Sequence, residues 1–214
     1  MRAIMKKFVF LCLILISNLV SAVDPQLNVN FKPTNEKIEN ESLDKIEVVE
    51  MFWYGCIHCF QFEPAINKWK ANLPKDVVFK RVPAVPRRDW IPMARTYYAM
   101  ESLGIVDDFH GKLFDAIHKD KTLNPGDESA AIQWIATNAK LDTDKVKSAF
   151  KSFSMEAKLK KANQMFRSAG ATGVPTLIIN GSYLTSSTMA GGPQNAIEIT
   201  EFIIENIRKD LKKK

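Results

Sequence analysis

The pattern of apolar and polar residues changes its period several times along the chain. Residues 46–53 are rich in β-branched and aromatic side chains, which predicts a strand that ends in a turn at Gly55. From Cys56 the apolar side chains recur at helical spacing, and residues 77–82 form a second β-branched run. Residues 46–82 therefore predict a strand–helix–strand unit with a parallel pair of strands and a right-handed crossover.

The next eighty or so residues have helical periodicity and no convincing strand. Asp127 and Asp142 are predicted N-caps within this block. The predicted helices cover residues 93–103, 106–119, 128–139 and 142–153, and a longer helix follows to Ser168.

The pattern returns to strands after Gly173. Residues 176–184 predict a hairpin whose tight primed turn is Asn180-Gly181. A small, polar loop is expected over residues 185–193, and residues 195–213 predict an amphipathic helix. The polar residues 23–45 are expected to form a surface arm with a short helix. The order of elements predicts an α/β fold with a helical insert.

Residues 1–22 have the three parts of a secretory signal peptide. Three basic residues precede an uncharged apolar run over residues 8–16, and a more polar end has Val20 and Ala22 at the cleavage positions. The apolar run is shorter than the roughly 20 residues of a membrane-spanning helix. We therefore expect export, with cleavage after Ala22.

Composition and charge exclude several classes of protein. With 25% charged and 46% hydrophobic residues, the 214-residue chain is neither disordered nor a multispan membrane protein. Loss of residues 1–22 removes Cys12 and three basic side chains but no acidic ones, which lowers the net charge from +6 to +3. The remaining basic residues form no run interleaved with aromatics, so we expect no nucleic-acid partner.

Cys56-Ile57-His58-Cys59 lies where the predicted strand turns into a helix. The first amide N–H groups of a helix lack intrahelical acceptors and, with the helix dipole, stabilise a thiolate on Cys56. Cys59, one turn later, can form a disulfide with Cys56 and resolve mixed disulfides, and His58 can favour the thiolate further. Because a stabilised thiolate stabilises the reduced form, this arrangement makes the disulfide a stronger oxidant.

Other uses of the two thiols fit less well. Haem attachment requires His directly after the second cysteine, where Phe60 stands, and a disulfide used only for structure would close too small a loop to stabilise the fold much. A zinc site lacks further ligands, because His110 and His118 are expected to be surface or partly buried side chains on helices. A copper-delivering protein with a similar fold stays open, although it lacks a Met- or His-rich companion site. We expect no metal and no cofactor.

Two separated motifs make the chain similar to the DsbA family of bacterial periplasmic thiol–disulfide oxidoreductases. Residues 50–63 resemble the active-site segment of that family, and Gly173-Val174-Pro175-Thr176 resembles its second motif. The helical block resembles its inserted domain, so the resemblance spans nearly the whole exported chain. It implies an α/β thioredoxin fold in residues 23–87 and 169–214, with an inserted all-helical domain in residues 88–168.

The resemblance also implies roles for individual residues. Pro175 would be a cis-proline opposite the disulfide, and Val174 would pair through its backbone with an extended substrate. Glu50 would assist proton transfer around Cys59. From the residues alone, Glu50 could equally be a solvated carboxylate at a strand edge, and Pro175 a trans residue that starts a strand.

One position departs from the family. Many members have Pro where this chain has Ile57, so the redox potential of the family does not transfer directly to this chain. We expect the apolar Ile57 to favour apolar substrate segments.

These observations give one expected function and two alternatives. We expect a monomeric periplasmic dithiol oxidase that donates its Cys56–Cys59 disulfide to reduced secreted proteins. By resemblance alone, an inner-membrane DsbB-like partner reoxidises it. A disulfide isomerase or reductase on the same fold stays open, although residues 23–45 are too short for the dimerisation domain that isomerases usually carry. A binding or chaperone module in which the thiols are incidental also stays open.

Overall fold

The computed structural model describes residues 24–42 and 44–213. The predicted signal peptide, residues 1–22, and its predicted cleavage site after Ala22 lie outside the described residues. Within the described part of the chain, no helix combines the length and the apolar character needed to cross a membrane.

A mixed five-stranded sheet forms the centre of the fold. Its strands are β1 (Phe31–Pro33), β2 (Ile46–Phe52), β3 (Val77–Pro83), β4 (Thr176–Ile179) and β5 (Tyr183–Ser186). They lie in the order β1-β5-β4-β2-β3, and β2 pairs in parallel with β3 and antiparallel with β4. Strand β2 is buried at every position: five of its seven residues are apolar, as a central strand requires, and Glu47 and Glu50 are buried with them.

Eight α-helices surround the sheet in the described residues, and a short 3₁₀-helix (Arg88–Trp90) precedes the second of them. They are α1 (Ile57–Lys70), α2 (Ile91–Ser102), α3 (Val106–His118), α4 (Glu128–Ala139), α5 (Thr143–Phe150), α6 (Met155–Ala169), α7 (Ser187–Ala190) and α8 (Pro193–Leu211). Helix α1 joins the parallel strands β2 and β3, which confirms the predicted strand–helix–strand unit. Helices α2 to α6 all lie between β3 and β4, as the helical periodicity predicts.

The structure confirms the predicted helix N-caps and the predicted hairpin turn, each of which depends on contacts between residues close in the sequence. Asp127 accepts the backbone N–H of Ala130 at the start of α4, and Asp142 caps α5 in the same way. Asn180 and Gly181 have φ values of 50° and 61°, and Ile179 C=O accepts Ser182 N–H at 3.1 Å. This is the predicted primed turn, because both central residues have positive φ.

Two expectations about the ends of the fold are wrong. Residues 23–45 contain no helix in their described part; instead β1 pairs with β5 and covers the edge that β5 would otherwise expose. The Phe31 ring packs edge-on against Tyr183 and Phe202, which stabilises this strand. The expected loop 185–193 is also shorter than predicted, because β5 continues to Ser186 and α7 follows.

The apolar core is continuous between the sheet and the helices of the insert. Phe52, Tyr54 and Cys59 are buried in one cluster with apolar side chains from α2 to α6, among them Phe114 and Leu113. The C-terminal end of β2 and the first turn of α1 therefore lie where the sheet meets the insert.

Candidate active site

A tight turn delivers Cys56 to the first turn of α1. Cys56 N–H donates to Trp53 C=O at 3.0 Å, so Tyr54 and Gly55 are the two corner residues of a β-turn. Cys56 is the N-cap of α1 with an extended backbone. A Cβ on Gly55 would lie 2.4 Å from the Trp53 ring, so only glycine fits there without movement of the indole.

The two cysteines have opposite environments. Cys56 is partly exposed and Cys59 is fully buried, and both are free thiols here. A hydrogen bond from the Cys59 thiol lowers the pKa of Cys56 to about 6; partial burial opposes this, while the backbone N–H groups of Cys59 and His58 and the His58 charge contribute to it. Burial raises the pKa of Cys59 well above its ordinary value.

His58 and Ile57 lie on the solvent side of the C-x-x-C. Both side chains are exposed, and the polar partner of His58 is Gln61, with 3.4 Å between His58 Nδ1 and Gln61 Oε1. Ile57 leaves 45% of its surface exposed beside Cys56. Trp53, three residues before Cys56, stacks its indole on that of Trp90, with ring centroids 4.5 Å apart.

The second motif lies against the first. The Val174–Pro175 peptide bond is cis, and Cys56 Sγ lies 3.4 Å from Val174 O, to which the thiol donates. Pro175 is buried and Val174 is partly buried. The fold thus brings together two segments that are 118 residues apart in the chain.

Glu50 is not a solvated carboxylate at a strand edge, because its side chain is fully buried. Its Oε2 accepts from Arg81 Nε at 3.0 Å, and its Oε1 has no hydrogen-bond partner among the described residues. Burial raises the pKa of Glu50 to about 7, with the nearby Arg81 guanidinium opposing and Glu63 adding to the rise. A carboxyl group with such a pKa can be neutral or ionised near neutral pH, as a group that exchanges protons requires.

The expectation for His110 is wrong, because this side chain is only 4% exposed. Its Nε2 lies 3.2 Å from Glu63 Oε1, and its Nδ1 lies 2.7 Å from Tyr54 Oη. Burial and the Arg81 charge lower the pKa of His110. The neutral ring therefore donates through Nε2–H to Glu63 and accepts the Tyr54 hydroxyl proton at Nδ1.

Sequence reasoning missed this buried network as a whole. Arg81 bridges Glu50 and Glu63, with 3.2 Å between its NH2 and Glu63 Oε1. Although burial acts to raise it, the pKa of Glu63 is held below its ordinary value by His110 and Arg81. The position of Glu63 on α1, four residues after Cys59, was the only hint in the sequence that Glu63 belongs to the site. Its partners could not be inferred, because Arg81 lies on β3 and His110 on α3. His118, by contrast, is partly buried, as expected.

Comparisons with known proteins place this chain in one family. The family described as DSBA-like thioredoxin domain matches residues 74–197. The thiol:disulfide interchange protein DsbA of Azotobacter vinelandii is 40% identical over 165 residues, which are 77% of this chain and 76% of that protein. The protein of the same name from Pseudomonas aeruginosa is 39% identical over 79% of each chain.

The solved structures agree. The crystal structure of Pseudomonas aeruginosa DsbA superposes with a TM-score of 0.82 at 32% identity, covering 88% of this chain and 97% of that one. The predicted thioredoxin fold with helices inserted between β3 and β4 is therefore confirmed. The chain belongs to the DsbA family, and it is a thiol:disulfide oxidoreductase of that family.

Proposed function

We propose that the chain oxidises cysteine pairs in newly exported proteins through a disulfide between Cys56 and Cys59. The observation that carries the proposal is the asymmetry of the two sulfurs. The accessible Cys56 favours its thiolate, whereas the buried Cys59 favours its thiol. A thiolate on Cys56 stabilises the reduced protein, so the oxidised protein tends to pass its disulfide on.

The exchange conserves atoms and electrons. A substrate thiolate attacks Cys56 Sγ, the Cys56–Cys59 bond breaks, and Cys59 leaves with the electron pair and takes up a proton. The second substrate thiolate then attacks the substrate sulfur of the mixed disulfide and expels Cys56 as a thiolate. The substrate loses two electrons and gains a disulfide, and the Cys56–Cys59 pair gains these two electrons.

We assign the proton of Cys59 to Glu50. The carboxyl group is buried, and its Oε1 has no partner within the described part of the chain. Burial is the main cause of the raised pKa of Cys59, and the Glu50 charge adds to it. A neutral Glu50 can donate as Cys59 leaves, and an ionised Glu50 can accept when the disulfide is restored. His58 supports the Cys56 thiolate from the exposed side.

Substrates bind, in this proposal, across the segment that holds the cis-proline. The backbone of Val174 lies beside Cys56 Sγ and can pair with an extended peptide as an added strand would. Ile57 is apolar and exposed, so unfolded segments with apolar side chains near the cysteine fit this surface.

The predicted signal peptide supports action in the periplasm. Each turnover leaves the Cys56–Cys59 pair reduced, so an external oxidant must restore the disulfide. Family membership supports a DsbB-like protein of the inner membrane in this role.

The test follows disulfide formation in a reduced, unfolded secreted protein. We expect the oxidised wild type to form disulfides stoichiometrically and Cys56→Ala to form none. Preferential rearrangement of scrambled disulfides would instead indicate an isomerase, and preferential cleavage of native disulfides would indicate a reductase. Unchanged activity in Cys56→Ala would indicate a binding module.

Ile57→Pro tests how far the second position of the C-x-x-C determines the redox potential. Proline removes an N–H and changes the local backbone at the start of α1, so we expect a shifted equilibrium with glutathione. Because Pro is well tolerated in the first turn of a helix, thermal stability should be kept. An unchanged equilibrium would contradict the expectation.

A further inference from the structure

The β-turn before Cys56 contains a peptide group that can take two orientations. Tyr54 and Gly55 occupy its corners, and Gly55 does not take a positive φ here. Rotation of the central peptide gives the alternative turn, which needs a positive φ at the third residue, and glycine reaches that conformation without steric cost. The sequence of the turn therefore permits either orientation of the Tyr54 carbonyl, and a contact to that carbonyl can favour one of them.

His118 makes such a contact. The Nε2 atom of His118, the last residue of α3, lies 2.7 Å from Tyr54 O. Since a carbonyl oxygen can only accept, Nε2 carries the hydrogen and donates it. The same imidazole stacks on Phe60, with ring centroids 5.3 Å apart and an interplanar angle of 18°. His118 thus contacts the residues on both sides of the C-x-x-C.

The other end of Tyr54 is fixed from the same helix. The Tyr54 side chain is fully buried, and its hydroxyl bonds to His110 on α3 at 2.7 Å. Because the Tyr54 ring is fixed, the Tyr54 carbonyl can change direction mainly by rotation of the Tyr54–Gly55 peptide group. That rotation would break the hydrogen bond between His118 Nε2 and Tyr54 O.

We propose that His118 is a positioning residue of the redox site, which holds the Tyr54–Gly55 peptide so that its dipole keeps one orientation beside Cys56. The proposal rests on the redox activity of the Cys56–Cys59 pair, but it does not depend on whether the cell uses that pair as an oxidase. In this proposal, helix α3 of the insert takes a direct part in fixing the surroundings of the Cys56 thiolate.

The expected effect follows from the loss of one hydrogen bond. Without the His118 donor, the Tyr54–Gly55 peptide would occupy both orientations, and its dipole beside Cys56 would lose the fixed direction that favours the thiolate. A hydrogen bond of ordinary net strength corresponds to about a fivefold change in an equilibrium constant. We expect the Cys56 thiolate to form at higher pH and the disulfide to become about fivefold less oxidising.

Two variants separate the donor from the ring. His118→Phe keeps a ring that can stack on Phe60 but cannot donate, whereas His118→Gln keeps an N–H donor without the aromatic ring. Lys119→Gln changes the exposed neighbouring residue and serves as the control. The readouts are the equilibrium with glutathione, the ultraviolet titration of the Cys56 thiolate, and the thermal midpoint of the reduced protein.

We expect the fivefold change in His118→Phe, less than about a twofold change in His118→Gln, and none in Lys119→Gln. A folded His118→Phe protein with the wild-type equilibrium and titration would overturn the proposal. If His118→Phe does not fold, a folded His118→Gln protein that shows the full fivefold loss overturns it instead. The proposed oxidase function fails on a different result. It is wrong if the wild type does not oxidise a reduced secreted protein, even when replacement of His118 still changes the equilibrium with glutathione.

Discussion

Cys59 is expected to control the acidity of Cys56, and replacing Cys59 by Ala tests this directly. The hydrogen bond from the Cys59 thiol is the largest of the causes that lower the pKa of Cys56 from an ordinary 9.0 to about 6. Alanine removes this donor and leaves the amide groups of α1 and His58 in place. Serine at the same position keeps a hydroxyl donor and is the matched control.

The magnitude follows from the strength of such a bond. A hydrogen bond to a charged group contributes about 1.5–3 kcal/mol, and about 1.36 kcal/mol corresponds to one pH unit. Because Cys56 is partly exposed, solvent weakens the interaction, so the lower end of this range applies. We therefore expect Cys59→Ala to raise the pKa of Cys56 by about one pH unit.

The assay is the ultraviolet absorbance of the thiolate against pH, repeated as the rate of alkylation by a small electrophile. Each single-cysteine variant retains Cys56 alone, so the titration has one component. Cys59→Ser is expected to titrate between the wild type and Cys59→Ala. If Cys59→Ala titrates at the wild-type pH, the helix N-terminus and His58 suffice, and the role given to Cys59 is wrong.

Two further variants test the buried carboxyl group and the hairpin. Because burial raises the pKa of Glu50 from 4.5 to about 7, the wild type loses stability as pH rises across that interval, and Glu50→Gln does not undergo this ionisation. We expect the thermal midpoint of Glu50→Gln to rise relative to wild type between these pH values; a difference that is independent of pH would refute the raised pKa. Gly181→Ala places a Cβ 1.8 Å from the Ile38 carbonyl oxygen at a φ of +61° and should lower the free energy of unfolding by about 2 kcal/mol or more. Gly111→Ala, with open space in the middle of α3, is its control and should be neutral or stabilising in chemical denaturation.

The sequence predicts those parts of the fold in which the deciding contacts are local. The caps at Asp127 and Asp142 and the turn at Asn180-Gly181 depend on atoms within three residues of each other. Strand β1 was missed because its three residues carry no strong pattern of their own. It forms because β5, about 150 residues away, offers an unpaired edge.

The same distinction applies to the site. The thiolate chemistry of Cys56 follows from a cysteine at a helix start with Cys59 one turn later. The resemblance to the family supplied Pro175 and Glu50. The partners of Glu50, Tyr54 and His110 could not be predicted, because they meet across separations of 31 to 64 residues. A buried histidine and a surface histidine on one helix also look alike until the packing of that helix is known.

The most direct test of the account is the reduction potential of the Cys56–Cys59 pair, measured at equilibrium with glutathione at neutral pH. A thiolate-stabilising site at Cys56 predicts a potential more oxidising than about −180 mV, the value of protein disulfide isomerase. A potential near about −270 mV, that of thioredoxin, would contradict the assignment of this chain as a dithiol oxidase.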